Sequence, residues 1–234
     1  MTDFNSSALI EGARTFGVEL SSAQVEAFKL YALRLEEWNQ KLNLTRVPAQ
    51  ETVALHFLDS LSVATAIPPN GRLLDVGTGA GFPGIPLKIA FPNLQVCLLD
   101  SIQKKLGFIE SLSREMGLPL EIVCGRAETL AHAAERRESF DIVVSRAVAD
   151  LDTLCHWMLP FVKVGGMAVA MKSKETEIEL QAAVTSIHIL GGGTAEIREV
   201  VVPGILAARK LVVIRKERPT PSTLPKRGNI KKKK

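Results

Sequence analysis

The chain has 234 residues, of which 46% are hydrophobic and 23% charged, and a formal net charge of +4. That length supports one sizeable core with an appendage, and the apolar stretches are strand-sized, far below the roughly 18–20 residues that span a bilayer. Cys97, Cys124 and Cys155 are odd in number and lack CxxC spacing, which excludes a disulfide framework and a zinc site and points to reduced thiols.

Met1-Thr2-Asp3-Phe4-Asn5 has neither the basic nor the apolar region of a secretory signal, so a cytoplasmic location is expected. Residues 1–67 read as helical. Ser21-Ser22 precedes a periodic run with Val25, Phe28, Leu30, Leu33, Leu35 and Trp38. Asn39, Lys41 and Asn43 then interrupt the apolar pattern: they either line an entrance or simply end the helix, where a basic residue suits the dipole. Pro48 opens a second helix, roughly Ala49–Ala66, carrying His56 among Leu55, Phe57 and Leu58. A lone His in such company is either a core group or a site group. Asp59 and Ser60 would anchor this extension to the rest. Pro68-Pro69-Asn70-Gly71 reads as a turn and a domain boundary.

From Arg72 strands and helices alternate. Strands are expected at 72–76, 94–99, 120–124, 140–145, 167–171, 195–202 and 210–215, and helices at 84–91, 102–116, 128–138, 150–160 and 174–189. The alternation predicts a mainly parallel sheet covered by helices on both faces. No helix separates the last two strands, so they would pair antiparallel at one edge. Residues 219–234 are rich in Pro and Lys and read as a mobile basic arm. The charge is uneven: residues 209–234 hold eleven Lys and Arg against one acid, a net of +10, which leaves −6 for the remainder. Such an arm suits an anionic polymer, by charge alone since it lacks aromatics for stacking.

The stretch from Leu73 to Gly84 carries the chemistry. An apolar strand ends in Asp75 and then Gly77, Gly79, Gly81 and Gly84, a strand entering a tight turn and a helix. Gly79-x-Gly81-x-x-Gly84 matches the spacing of dinucleotide oxidoreductases, with Asp100 in the place of a ribose-binding acid. Two residues argue against that reading. Asp75 would sit poorly near a pyrophosphate, and Pro83 removes an N–H from the helix start that would hold it. A cationic cofactor fits better. Asp75-Val-Gly77-x-Gly79-x-Gly81 resembles the first motif of class I methyltransferases, which implies S-adenosylmethionine, with Asp100 on the ribose hydroxyls and Ala127-Glu128 beside the adenine.

The fourth strand ends Ser145-Arg146-Ala147, without the Asn/Asp-Pro-Pro motif common where exocyclic amines are methylated. Cytosine C5 chemistry needs a thiolate, but Cys155 lies in an apolar helical pattern and, like Cys97 and Cys124, reads as buried. An acceptor that is already nucleophilic, such as guanine N7, is permitted by these absences. Arg146 follows an apolar strand at the end where such sheets bind ligands, and its planar fork suits a phosphate or carboxylate. Lys104 and Arg126 lie at the same edge and would meet phosphates or solvent.

Together the motifs resemble the bacterial guanine-N7 methyltransferases of 16S ribosomal RNA, also called the glucose-inhibited division protein B family. The resemblance rests on Trp38-Asn39-x-Lys41-x-Asn43-Leu44-Thr45, His56-x-x-Asp59-Ser60, Asp75 through Pro86 with its Gly-Phe-Pro-Gly-Ile-Pro ending, Leu99-Asp100-Ser101, Ser145-Arg146-Ala147 and the Pro219–Lys231 tail. It implies a class I, Rossmann-like α/β fold with a seven-stranded, mainly parallel sheet and an antiparallel edge strand. The units would be residues 1–67 (helical extension), 68–218 (methyltransferase domain) and 219–234 (basic flexible tail). It implies methylation of the guanine usually called 527, in the small ribosomal subunit or an assembly intermediate; a monomer without bound metal is expected separately. Cofactor residues would be Asp75, Gly77, Thr78, Gly79, Gly81, Phe82, Asp100, Ser101, Ala127, Glu128 and Arg146. Arg146 and Asn39 would position substrate; Asn39, Lys41, Asn43, His56, Lys104, Arg126, Lys226 and Arg227 would contact RNA. A non-catalytic ribosome-assembly factor with a vestigial pocket, or an NAD(P)-dependent oxidoreductase, are the alternatives.

Overall fold

In the computed structural model, residues 4–146, 149–172 and 175–226 are described. Arg227, Lys231 and Ala147, named above, lie outside them. Helix α1 (Ser6–Arg14) starts at Asn5, whose side chain accepts from Ala8 N. Helix α2 (Ser22–Leu42) starts with a reciprocal capping box between Ser21 and Gln24. Gln24 Nε2 also donates to Ile89 O and Ala90 O, which ties the start of α2 to the sheet domain. Asn43 ends α2 in the left-handed conformation, φ 48°.

The single helix expected over Ala49–Ala66 is instead wound with changing pitch. A 3₁₀ turn (Ala49–Glu51) leads into a π-wound stretch (Val53–Leu58), one α-turn, α3 (Asp59–Leu61), and a closing 3₁₀ turn (Ser62–Thr65). Side-chain donors reach carbonyls here: Arg146 Nη1 donates to Leu55 O at 3.2 Å and Ser60 Oγ to His56 O at 2.6 Å. Insertions of this kind loosen the i→i−4 ladder, and π turns mark sites where particular side chains must be presented.

Seven strands form one sheet in the order β3-β2-β1-β4-β5-β7-β6. They are β1 (Gly71–Val76), β2 (Leu94–Asp100), β3 (Leu120–Cys124), β4 (Phe140–Arg146), β5 (Val162–Lys172), β6 (Gly192–Val200) and β7 (Arg209–Lys216). Strand β7 is antiparallel to both β5 and β6, and the pairs from β3 across to β5 are parallel. The antiparallel strand is therefore last in sequence but second from the edge of the sheet. Period-2 alternation sends Leu73, Val96, Leu98, Ile142 and Val144 to one core and Leu74, Val76, Cys97, Leu99 and Val143 to another. The first core is closed by α4 (Gly84–Ala90), α5 (Gln103–Met116) and the N-terminal extension; the second by α7 (Leu151–Met158) and α8 (Thr176–Ile189). The turn at residues 68–71 thus separates segments that share a core. Among the described residues, no helix is long and apolar enough to cross a membrane.

Two further expectations are corrected. The helix expected over 128–138 is only α6 (Ala127–Leu130), followed by turns that end at Glu138 with φ 47°. The same region explains the second correction, because it captures the start of the supposed mobile arm. Arg137 donates to the carbonyls of Thr220, Pro221 and Leu224, and His132 Nε2 contacts Pro225 O at 2.8 Å. Buried Lys216 donates to Leu159 O, Leu190 O and Thr220 Oγ1, and Leu224 packs on the second core. Residues 219–226 are anchored by a backbone-carbonyl network that residue composition does not reveal.

Candidate active site

The sheet changes direction between β1 and β4, and ligands of such folds lie over the C-terminal strand ends at that point. A cavity of ≈ 460 Å³ opens there, a size suited to a small ligand. Its floor is the turn after β1. Gly77 N and Thr78 N both donate to Leu99 O, at 2.8 and 3.0 Å, which presses the turn against β2. Gly77, Gly79 and Gly81 have φ of 72°, 61° and 102°, which L side chains rarely adopt. A Cβ on Gly79 would meet nothing within 4 Å, and this glycine lines the cavity.

Of the cofactor residues expected, Gly77, Thr78, Gly79, Phe82, Asp100, Ser101, Ala127, Glu128 and Arg146 line the cavity. Asp75 and Gly81 do not. Gly81 is tucked beneath, where a Cβ would come within 2.8 Å of Tyr31 Oη. Asp75 is fully buried, and its Oδ2 accepts from Thr78 Oγ1 at 2.7 Å and Gly84 N at 2.9 Å. Its Oδ1 is buried without a partner among the described residues. Burial pushes its pKa up from 3.8 to about 6. Asp100 accepts one backbone N–H on each oxygen, from Gly79 (2.8 Å) and Ile102 (2.9 Å). Each oxygen keeps a lone pair for a hydroxyl.

The opposite wall comes from the extension. Phe82 stacks at 12° on Tyr31 (5.2 Å) and on His56 (4.3 Å), and the Arg146 guanidinium lies 4.8 Å from its ring centre. Tyr31 Oη donates to Ala80 O at 2.6 Å, which pins the glycine turn to α2. Arg146 is not a free fork. It donates to Asp59 Oδ2 at 3.0 Å and contacts His56 Nδ1 at 3.0 Å. Asp59 also accepts from Arg209 Nε at 2.8 Å, so it joins the extension to β4 and β7. Burial, with Arg146 adding to it, lowers the His56 pKa to about 3 and keeps the ring neutral. His56 is thus both core group and wall.

The remaining candidates are spread out. Asn39 and Asn43 shape the loop: Asn39 Oδ1 accepts from Thr45 N at 2.9 Å, and Asn43 is the left-handed cap. Lys41, Lys104 and Lys226 are exposed and outside the cavity lining, whereas Arg126 is at its rim. Cys124 is exposed on edge strand β3, against expectation. Cys97 and Cys155 are buried, and burial pushes both thiols up to about 12.

Thr45, Lys105 and Trp157 are among the lining residues that carried no assigned role in the sequence. Lys105 adjoins Lys104, and helical periodicity alone does not choose between neighbours. Trp157 read as an apolar neighbour of Cys155. Thr45 stood in a quoted motif, but the His56 ring it meets is oriented by Arg146, ninety residues further along the chain.

A family model described as rRNA small subunit methyltransferase G matches residues 24–208. The chain is 43% identical over 225 residues to the ribosomal RNA small subunit methyltransferase G of Thermoanaerobacter sp. (strain X514), covering 94% of each chain. It is 45% identical over 223 residues to the protein of the same name from Acetivibrio thermocellus, covering 94% of this chain and 92% of that one. Among solved structures it resembles TrmN from Thermus thermophilus, with a TM-score of 0.51 and 22% identity over 67% of this chain and 47% of that one; this likeness shows the fold.

Proposed function

Because the chain belongs to the rRNA small subunit methyltransferase G family, we propose that it methylates guanine N7 in 16S ribosomal RNA, at the guanine usually called 527. It is an S-adenosylmethionine-dependent enzyme. The observation that carries the finer reading is one cavity with two unlike walls, a glycine-and-carboxylate cradle on the sheet and Leu44, Thr45 and His56 from the extension.

The residues fit the cofactor. The open space at Gly79 admits a ligand against the backbone, and the orphaned Asp75 Oδ1 is a buried negative group that a cation relieves. Asp75 would act from beneath the turn on the cofactor's ammonium; Asp100 would accept from the ribose hydroxyls; Ala127 and Glu128 would flank the adenine. Gly77, Thr78, Ser101 and Phe82 would complete the cradle. When bound, the cofactor supplies a methyl group on a cationic sulfur.

Guanine N7 has no proton to lose, so the protein's task is placement of the acceptor. The site agrees with that demand. His56 is held neutral, and the thiols of Cys97 and Cys155 are far from ionised at neutral pH, which disfavours attack through a cysteine thiolate. Arg146 positions the wall: it fixes His56 and Asp59. Exposed Lys41, Lys104, Arg126 and Lys226, with Asn39 and Asn43 shaping the loop, would meet RNA phosphates together with Arg227. The reading includes a monomer working in the cytoplasm on the small subunit or a precursor of it.

The test is methyl transfer by the purified protein to free 16S RNA and to small-subunit particles, with the product mapped to one nucleotide. N7-methylguanosine at a single site supports the proposal. RNA binding without any methyl transfer to either substrate would refute it and favour the non-catalytic assembly factor.

A further inference from the structure

An arginine side chain only donates, so the 3.0 Å contact of Arg146 Nη2 with His56 Nδ1 makes Nδ1 the acceptor. The ring is neutral and buried, with 6% exposure, so its single proton lies on Nε2. His56 Nε2–H therefore donates to Thr45 Oγ1 at 2.7 Å. Val47 N donates to the same oxygen at 3.0 Å. Both lone pairs of the hydroxyl are filled.

An ordinary threonine hydroxyl accepts or donates as its partner requires. This one is committed: it can only donate, and no acceptor takes its proton among the described residues. Thr45 lines the cavity alongside His56, Phe82 and Arg146. Its backbone is held as well, by Asn39 Oδ1 on Thr45 N. The result is a fixed donor on the wall that the extension contributes, away from the carboxylates of the sheet.

Guanine presents N7 and O6 as two acceptors on one edge, whereas adenine places an amine donor where O6 would be. We propose that Thr45 selects the base to be methylated: its hydroxyl donates to O6 of the guanine whose N7 receives the methyl group. The inference rests on the guanine-N7 reading above. Adenine is rejected because the Thr45 oxygen has no lone pair left to receive an amine proton. Arg146 and His56 are positioning residues in this scheme, since they set the tautomer that commits Thr45.

The test uses the full chain and 16S RNA whose target guanine is replaced by 2-aminopurine, which keeps N7 and lacks O6. Single-turnover methyl transfer is measured for wild type, Thr45→Val and Thr45→Ser on both RNAs. Thr45→Val is expected to slow transfer to guanine about tenfold, the value of one well-made hydrogen bond. On the 2-aminopurine RNA wild type and Thr45→Val are expected to differ less than about twofold, and Thr45→Ser to resemble wild type on both. General damage to the loop would lower both rates alike, so an equal loss on the two RNAs overturns the proposal. So does a loss of S-adenosylmethionine affinity in Thr45→Val that accounts for the slower rate, because the hydroxyl would then serve the cofactor. If wild type forms no N7-methylguanosine on unmodified RNA, the function reading fails first, and product analysis distinguishes that case.

Discussion

Replacing Asp75 with Asn removes a buried charge and changes little in shape. The Asn Oδ1 can accept from Thr78 Oγ1 and Gly84 N as Asp75 Oδ2 does now, and the orphaned Oδ1 becomes an orphaned amide. The folded carboxyl has a pKa of about 6 against an ordinary 3.8, so the folded protein holds this proton more tightly than the unfolded chain. Stability therefore falls as pH rises through that window, by about 3 kcal/mol in all for this one group. The amide has no such window. In denaturant unfolding at pH 7, 5.5 and 4, the stability of Asp75→Asn minus that of wild type is expected to be most favourable at pH 7 and to decline toward pH 4. Taking the difference cancels the other carboxylates. In its proposed role, Asp75 must be ionised to favour the cationic cofactor. At pH 5 roughly one such group in ten is ionised, so wild-type affinity for S-adenosylmethionine is expected to be about tenfold weaker at pH 5 than its plateau above pH 7. The variant's affinity is expected to be weak and flat with pH over this range. A stability difference independent of pH, or a flat wild-type affinity, would refute the reasoning.

Gly79→Ala places its methyl in the open cavity, so it is expected to fold with a loss of about 1 kcal/mol for its left-handed backbone, while calorimetry shows a much larger loss of cofactor affinity. Gly84→Ala would drive a Cβ to 2.4 Å from Leu98 Cδ2, so it is expected to lose stability first, seen as a lower thermal midpoint. Asp59→Ala leaves Arg146 and Arg209 without their carboxylate at 14% and 24% side-chain exposure. Its expected cost is about 3 kcal/mol in chemical denaturation, and under about 1 kcal/mol would class the triad with exposed ion pairs. Removing residues 227–234 takes away five Lys and Arg but none of the anchored segment 219–226. Thermal stability and cofactor affinity are expected to hold, while RNA binding weakens and its dependence on salt flattens; an unchanged salt slope would remove the tail from the RNA contacts.

The parts of the site that were legible in the sequence are those whose residue types follow from backbone geometry. Gly77, Gly79 and Gly81 stand at positive φ, and no other residue type fills three such positions in five so readily. The strands were legible because buried parallel strands read as apolar runs. What stayed hidden depends on long-range polar contacts. Residues 219–226 look mobile by composition, yet carbonyls gathered by Arg137 and Lys216 hold them. The π-wound stretch around His56 has no sequence signature, since its pitch answers to Arg146. Asp75 was read as a cofactor residue, and only its partners show that it lies beneath the turn rather than in the cavity wall. Thr45 is hidden most deeply: its role depends on a ring tautomer that a strand far along the chain dictates.

Phe82 gives the fold a further property. It belongs to the glycine turn, yet it stacks on Tyr31 and His56 of the extension. The helical segment is consequently no interchangeable adaptor mounted on a self-sufficient catalytic sheet. Exchanging it for another substrate-binding module would strip aromatic support from the cofactor turn itself. A change of RNA target in such an architecture has to come from positions outside the shared core, such as the exposed Lys41, Asn43 and Arg46 beside the loop. The helices behind them commit their apolar faces to the core shared with the sheet, so contact with a substrate and support of the glycine turn fall to different residues of the same segment.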